Sequence, residues 1–313
     1  MAMRYQQLGR SDLTVSVITL GTYDAGAVAR GQLTAEEFER GIQVGVTELG
    51  INSIETADVY GLGAGEILLS RAIRGLREQV VITAGVGILQ DDQGNLSADL
   101  SAANVVQSLD RTLDRLGTDY VDVYIARIPD PNVTLAELGE TFEGLRSAGK
   151  VRWWGVADFD AASAVELTAN PGFTACMGPF NLLEREAIAD ALPLCRANGL
   201  GFYALRPLAM GLLSGEYRSR PTFHLSSGRS GYRFFQEEGF ANAQHGIATL
   251  RRLAWAKGIT LAQAAIAWTL HTGVTTTVAN FRDEGHIREN AQAPDIVLSD
   301  HESHLLNEAF SLR

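Results

Sequence analysis

Apolar runs of strand type alternate with stretches of helical period along the whole chain. The runs 16–20, 52–56, 80–84, 120–126, 152–157, 174–177, 201–205 and 275–278 are short and rich in branched and aromatic residues, so they read as strands. Between them, 34–49, 65–75, 102–116, 134–148, 161–169, 185–197, 241–257 and 261–270 repeat their apolar positions at helical spacing, and 300–311 forms a last helix. Ser101 and Thr134 can cap helix starts, and Gly50, Gly117, Gly149 and Gly199 follow helix ends. Eight β-then-α units without a change in composition predict one (β/α)₈ TIM barrel, an α/β fold occupying residues 1–313 as a single domain. The opening stretch 5–16 reads as a β-hairpin plugging the barrel's N-terminal end, and the last helix is an addition to the eight units.

The period of two places Val121, Val123, Ile125 and Arg127 on one face of the fourth strand. It groups Ser53 with Glu55 on the second strand, and Val81, Thr83 and Gly85 on the third. Arg127 is therefore expected to project inward at the barrel top, where a guanidinium needs an anionic partner or substrate. Glu55 is either that partner or a proton-handling group.

Composition narrows the chemistry. A net charge of −11 and 46% hydrophobic residues suit a protein that binds neither nucleic-acid backbones nor anionic membranes. No run approaches the length of a membrane helix, and the N-terminus lacks a basic region followed by an apolar core; a cytoplasmic location is expected. Cys176 and Cys195 offer neither a disulfide framework nor metal spacing and are expected to pack as small hydrophobes. All six histidines lie at or beyond His224, and the only lysines are Lys150 and Lys257. A Schiff-base lysine and a polyhistidine metal site are thereby disfavoured, and no metal is expected.

The stretches IETADVYG (54–61), VVITAGVG (80–87) and GTDYVDVYIARIPDP (117–131) strongly resemble the aldo-keto reductases. The similarity continues through QQLGRSDLTVSVITLGTY (6–23), GVADF (155–159), GPFNLLERE (178–186), RPLAMGLLSGEY (206–217) and HIREN (286–290). In that family an aspartate, a lysine and a histidine attend a tyrosine that protonates a carbonyl, and NADPH supplies the hydride. The resemblance places Tyr60 at the acid, Glu55 at the aspartate, Gly85 at the lysine and Arg127 at the histidine. The nicotinamide contacts also differ: Ala157 and Asp158 stand at a serine–asparagine pair, Met177 at a glutamine and Leu205 at a stacking aromatic. At the adenosine end, Glu289 and Asn290 fit the family's contacts and Arg282 lies near a 2′-phosphate position, while Glu216 adds negative charge nearby.

These replacements lead to an expectation of redox-independent acid/base chemistry, by elimination, isomerisation or cyclisation, on a small anionic oxygenated metabolite and without a cofactor. Glu55, Tyr60 and Arg127 would be catalytic; Asp24, Asp158 and Arg206 would bind substrate, the two arginines clamping its anionic group. The alternative is an NADPH-dependent carbonyl reductase with an atypical tetrad, using Arg282, Glu289 and Asn290 for the cofactor. A second alternative is a non-catalytic ligand sensor or regulatory subunit. The sequence leaves substrate and oligomeric state open.

Overall fold

The computed structural model describes residues 3–29, 33–91, 95–224 and 227–311. Strands β1 (Tyr5–Gln7) and β2 (Thr14–Ser16) pair antiparallel as the expected N-terminal hairpin. Strands β3 (Ile18–Gly21), β4 (Ser53–Ala57) and β5 (Val81–Val86) follow, and after them a second antiparallel hairpin, β6 (Ile88–Gln90) with β7 (Leu96–Ala98). The remaining strands are β8 (Val121–Ala126), β9 (Val151–Ala157), β10 (Phe173–Pro179), β11 (Gly201–Leu205) and β12 (Thr276–Asn280). Eight of them, β3, β4, β5, β8, β9, β10, β11 and β12, close in that order into a barrel.

Helices α1 (Ala25–Ala29), α2 (Ala35–Thr47), α3 (Ala64–Ala72), α4 (Ala102–Leu116), α5 (Leu135–Ser147) and α6 (Ala161–Leu167) surround its first half. Then come α7 (Ala191–Ala197), α8 (Glu237–Lys257), α9 (Leu261–His271), α10 (Glu284–Asn290) and α11 (Asp300–Ala309). Capping follows the sequence signals. Thr34, Thr134, Thr260 and Ser299 each close a capping box with a Glu or Gln three residues on, each such cap being worth about 1 kcal/mol. Gly117 ends α4 in the left-handed region, with φ of 65°.

The expected helix over 185–197 divides instead. A 3₁₀ turn at Glu186–Ile188 precedes α7, and Asp190 breaks the run by capping the Ala191 amide with its side chain. The β6–β7 hairpin and the helices α1 and α10 were not expected. Residues 225 and 226 of the long segment after β11 lie outside the described residues.

Two apolar layers hold the barrel. The outer one lies between strands and helices and includes Phe38, Phe142, Trp154 and Trp268, all buried. The inner one fills the barrel with Val81, Val123, Ile125, Ala175 and Tyr203, and the hairpin's Leu8, Leu13 and Val15 enter it from below. Val123 and Ile125 thus point inward as expected, whereas Val121 packs with the outer layer. Hydroxyls occupy part of the interior as well: Thr19 bonds Ser53 at 2.7 Å and Thr276 at 2.8 Å, and Thr83 meets the Tyr203 hydroxyl at 3.1 Å. With its bottom sealed, the barrel opens only where the strands end, so the side chains there decide the chemistry.

Candidate active site

Glu55 lies on the inward face of β4, two residues before its end, and is 1% exposed. Tyr60 follows on the turn leading to α3; its amide bonds the Ala57 carbonyl and its ring is buried. Arg127 lies one residue beyond β8, and its amide still bonds Val86 O, so it continues the strand's direction. The three side chains meet. Arg127 Nη1 donates to Glu55 Oε1 at 2.5 Å, and Nη2 donates to the Tyr60 hydroxyl at 2.9 Å. The Tyr60 hydroxyl in turn donates to Glu55 Oε1 at 2.9 Å.

Gly85 explains how Arg127 gets there. A Cβ built at position 85 would approach Arg127 Cδ to 2.6 Å and Cγ to 2.9 Å, so the arginine stem runs through the space that a side chain at 85 would fill. The position that lacks the family's lysine therefore admits a cation from the neighbouring strand. A positive charge stands beside the phenol after all.

The electrostatics follow from that packing. Burial pushes the Tyr60 hydroxyl well above the usual phenol range, Arg127 opposes the shift, and Glu55 adds to it. For Arg127, burial works against the charge, but the Tyr60 hydroxyl and the Glu55 carboxylate outweigh it and hold the guanidinium charged. Tyr60 is thus a phenol that keeps its proton, set against a permanent cation.

Asp158 follows β9 with a left-handed φ of 59°, which few non-glycine residues adopt. Its carboxyl is raised, chiefly by desolvation, against the pull of Arg127 and Arg206 and with Glu184 adding to the rise. Its backbone N–H donates to Met177 O at 3.1 Å, and its carboxylate has no hydrogen-bond partner among the described residues. Arg206, just past β11, also has a left-handed φ, of 56°. It reaches Glu184 Oε1 at 3.4 Å and lies over the Tyr232 ring, while its buried Nε has no hydrogen-bond partner. Asp24 sits half-buried in the turn after β3. Arg282 is 3.7 Å from Glu216, Glu289 accepts from Thr260, and Asn290 is buried at the end of α10. These last three lie beyond β12, apart from the Glu55–Tyr60–Arg127 cluster.

Both arginines are therefore engaged by carboxylates of the chain, Arg127 by Glu55 and Arg206 by Glu184. Sequence reasoning also missed Glu184, which Asn181 Nδ2 and the Tyr232 hydroxyl bind at 2.8 and 2.7 Å. Nor did it find Tyr23, whose ring meets Tyr60 edge-on at 5.3 Å. Glu184 was visible only as part of GPFNLLERE; its partner 48 residues away carried no local signal.

A primary carboxamide such as that of nicotinamide presents an acceptor oxygen and an N–H₂ donor. The Asp158 carboxylate, without a hydrogen-bond partner, and the orphaned Arg206 Nε supply an acceptor and a donor at the ends of the two strands that flank β10, and Leu205, just before Arg206, adds an apolar, half-buried surface. That donor set fits the group.

The barrel's mouth holds a buried carboxylate, a phenol and a cation in mutual contact, and residues 17–310 match the Aldo/keto reductase family. The chain is a member of that family. It is 28% identical to the NADH-specific methylglyoxal reductase of Escherichia coli (strain K12), with 98% of each chain covered. It is 30% identical to a probable voltage-gated potassium channel subunit beta of Oryza sativa subsp. japonica, covering 94% of this chain and 92% of that one. An aldo-keto reductase from Bacillus halodurans, solved in a holo form, superposes with a TM-score of 0.76 at 26% identity, covering 98% of this chain and 96% of that one. The glycerol dehydrogenase of Gluconobacter oxydans shares the fold with a TM-score of 0.89 at 23% identity, covering 99% and 96%.

These relatives correct two expectations. Redox-independent elimination, isomerisation or cyclisation is overturned by relatives named as a methylglyoxal reductase and an aldo-keto reductase. The cofactor-free reading is overturned with it, by a relative named for NADH and a neighbour in holo form. Both expectations rested on the joint replacements at Gly85, Arg127, Ala157, Met177 and Leu205; at the first of these the Arg127 stem occupies the space that a side chain would fill. Among the described residues, no helix is long and apolar enough to cross a membrane.

Proposed function

We propose that this chain is a nicotinamide-dependent carbonyl reductase, working as one barrel domain over residues 1–313, with Tyr60 as acid and Arg127 as the cation beside it. The observation that carries this reading is the passage of Arg127 over Gly85 onto the Tyr60 hydroxyl. Asp158 and Arg206 would hold the carboxamide, and Arg282, Glu289 and Asn290 the adenosine end. When bound, a reduced nicotinamide supplies a hydride to a carbonyl carbon.

The chain's own residues handle the proton. A substrate oxygen arriving at Tyr60 gives the hydroxyl an acceptor other than Glu55. As the proton leaves toward that oxygen, Arg127 Nη2, at 2.9 Å, faces the developing phenolate without having to move. Glu55 cannot take over as acid while it is bound by Arg127; its role is to fix the guanidinium's position and orient the hydroxyl. Tyr23, packed against the Tyr60 ring, limits the ring's motion and the approach of water.

The test is consumption of NADH or NADPH by the purified chain in the presence of short aldehydes, with Tyr60→Phe as control. The substitution keeps the Arg127–Glu55 pair and removes the proton, so turnover should fall by at least ~10²-fold, as for loss of a positioned acid. No saturable binding of either dinucleotide, and no consumption with any aldehyde, would sink the reading. The same measurement separates a reductase from a ligand sensor.

A further inference from the structure

The turn that carries Tyr60 is backed by a second buried charge cluster, between α3 and α4. Gly61, Leu62 and Gly63 take left-handed φ values of 60°, 54° and 91° in succession, a conformation that persists only where its surroundings fix it. Leu62 is 77% exposed, so its side chain does not fix the turn. Arg115 of α4 lies against it instead: a Cβ built at Gly63 would come within 2.8 Å of Arg115 Cδ and Nε. Glu66, fully buried in the first turn of α3, anchors that arginine by accepting from its Nε, and accepts from Thr112 Oγ1 at 2.7 Å. Gly65 N donates to Tyr60 O at 3.2 Å, which ties the start of α3 to Tyr60 itself.

Asp58 enters the same cluster from the strand side, one residue past β4 and two before Tyr60. Its Oδ1 is buried without a hydrogen-bond partner, and so is Arg115 Nη2; the only other such side-chain atom among the described residues is Arg206 Nε. The groups that face Asp58 are Glu66 of α3, Arg115 and Arg111 of α4, and Tyr124 of β8, whose phenol burial pushes far up, so that it stays neutral. Arg111 is exposed and already bonded to Gln107 and Ser108. Arg115 is thus the cation that two carboxylates share. With Asp58 protonated, Arg115 and Glu66 form a balanced pair. With Asp58 ionised, a second carboxylate competes for one guanidinium in a buried setting.

We infer that Asp58, Glu66 and Arg115 are positioning residues for Tyr60: they set the turn that aims its hydroxyl, and the charge on Asp58 decides how firmly. The inference rests on the reductase reading of Tyr60 and adds to it a control on the acid's placement from outside the barrel wall. When Asp58 is neutral, the Arg115 stem stays against Gly63 and the turn is held. When Asp58 is ionised, Arg115 is drawn from Glu66 toward Oδ1, its contact with Gly63 loosens, and Tyr60 is less often in reach of a substrate oxygen. Burial first, and Glu66 second, push the Asp58 carboxyl up to about 6, with Arg115 opposing, so the change falls between about pH 5 and about pH 7.

Two measurements test this. The first is the single-turnover rate of reduction of a short aldehyde at saturating dinucleotide. For the native chain it should fall about threefold or more as pH rises from about 5 to about 7.5, the cost of a less firmly held acid. Asp58→Asn keeps the side chain's size but cannot ionise, so its rate should stay at the acid value across that range, with dinucleotide affinity unchanged. A structural Asp58 would alter only the melting temperature, so a variant profile that copies the native one overturns the inference. Gly63→Ala drives a Cβ into the Arg115 stem and should cut the same rate about tenfold; a folded Gly63→Ala with the native rate also overturns it. The second measurement needs no turnover. In protein carrying ¹³C in its tyrosine rings, with the Tyr60 resonance assigned from Tyr60→Phe, that resonance should titrate at about pH 6 in the native chain and stay fixed in Asp58→Asn. A Tyr60 resonance indifferent to pH, or one that moves equally in the variant, overturns the inference. If no aldehyde is reduced while the Tyr60 resonance follows Asp58, the reductase reading alone has failed.

Discussion

Arg127 occupies the side-chain space of Gly85: its Cδ lies 2.6 Å from where a Cβ at position 85 would stand. Gly85→Ala must therefore displace the stem of a side chain whose guanidinium is anchored at both terminal nitrogens. We expect kcat for carbonyl reduction to fall by roughly tenfold or more, the scale for a misplaced charged donor. In a Tyr60→Phe background the same change should add little, because the group it misaligns is gone. Steady-state kinetics on the two single variants and the double variant check this.

The Arg127–Glu55 pair is buried, its side chains 12% and 2% exposed. Arg127→Met leaves a bare carboxylate and Glu55→Gln a bare guanidinium, so each should destabilise the fold by about 3–5 kcal/mol. Removing both charges together, as Glu55→Leu with Arg127→Met, should recover most of that loss while activity stays abolished. Denaturant unfolding of the three variants measures the difference. If the double variant is as unstable as the singles, the pair's role is packing rather than charge.

The pH dependence of reduction follows from Tyr60. Its folded pKa is raised above the ordinary value of about 10. The proton needed for donation is present below the raised pKa and lost only above it. kcat for reduction should therefore show no falling limb from Tyr60 below about pH 10. Alcohol oxidation, which needs the phenolate, should rise with pH across the same range. A descending alkaline limb near neutrality, shifted by Tyr23→Phe or Arg127→Lys, would contradict this.

Asp58, two residues before Tyr60, has a buried Oδ1 without a hydrogen-bond partner. Burial first, and the charge of Glu66 second, push its carboxyl up to about 6, with Arg115 opposing. Because the folded value lies above the unfolded one of about 4, the unfolded chain releases the proton first. Stability is undiminished below about pH 4, falls as pH rises to about 6, and stays lower beyond, by a penalty on the order of 2–3 kcal/mol. Asp58→Asn should therefore raise Tm by a few degrees at about pH 7 and much less at about pH 4.5. Thermal melts at the two pH values decide it.

Much of this was legible in the chain. Alternation along 121–127 aimed Arg127 inward, and the same reasoning placed Glu55 beside it, because strand periodicity survives any choice of partner. The β6–β7 hairpin was not legible: its residues are mostly exposed, so burial imposed no pattern on them. The break before α7 depends on one side chain, Asp190, turning back to cap. Arg127's route over Gly85 was hidden too, since it requires the register that sets Gly85 opposite Ile125. Arg206 looked like a free cation only because Glu184 reaches it from another loop.

The crossing of Arg127 over Gly85 also fixes the order in which this site can change over evolution. A lysine restored at position 85 while Arg127 remains would clash with its stem and crowd a second cation onto one phenol. Losing Arg127 first would strand Glu55 as a buried, uncompensated charge. Either route passes through a crippled intermediate, so descent from this ancestor should keep glycine and arginine together, as a single inherited unit spread over two strands.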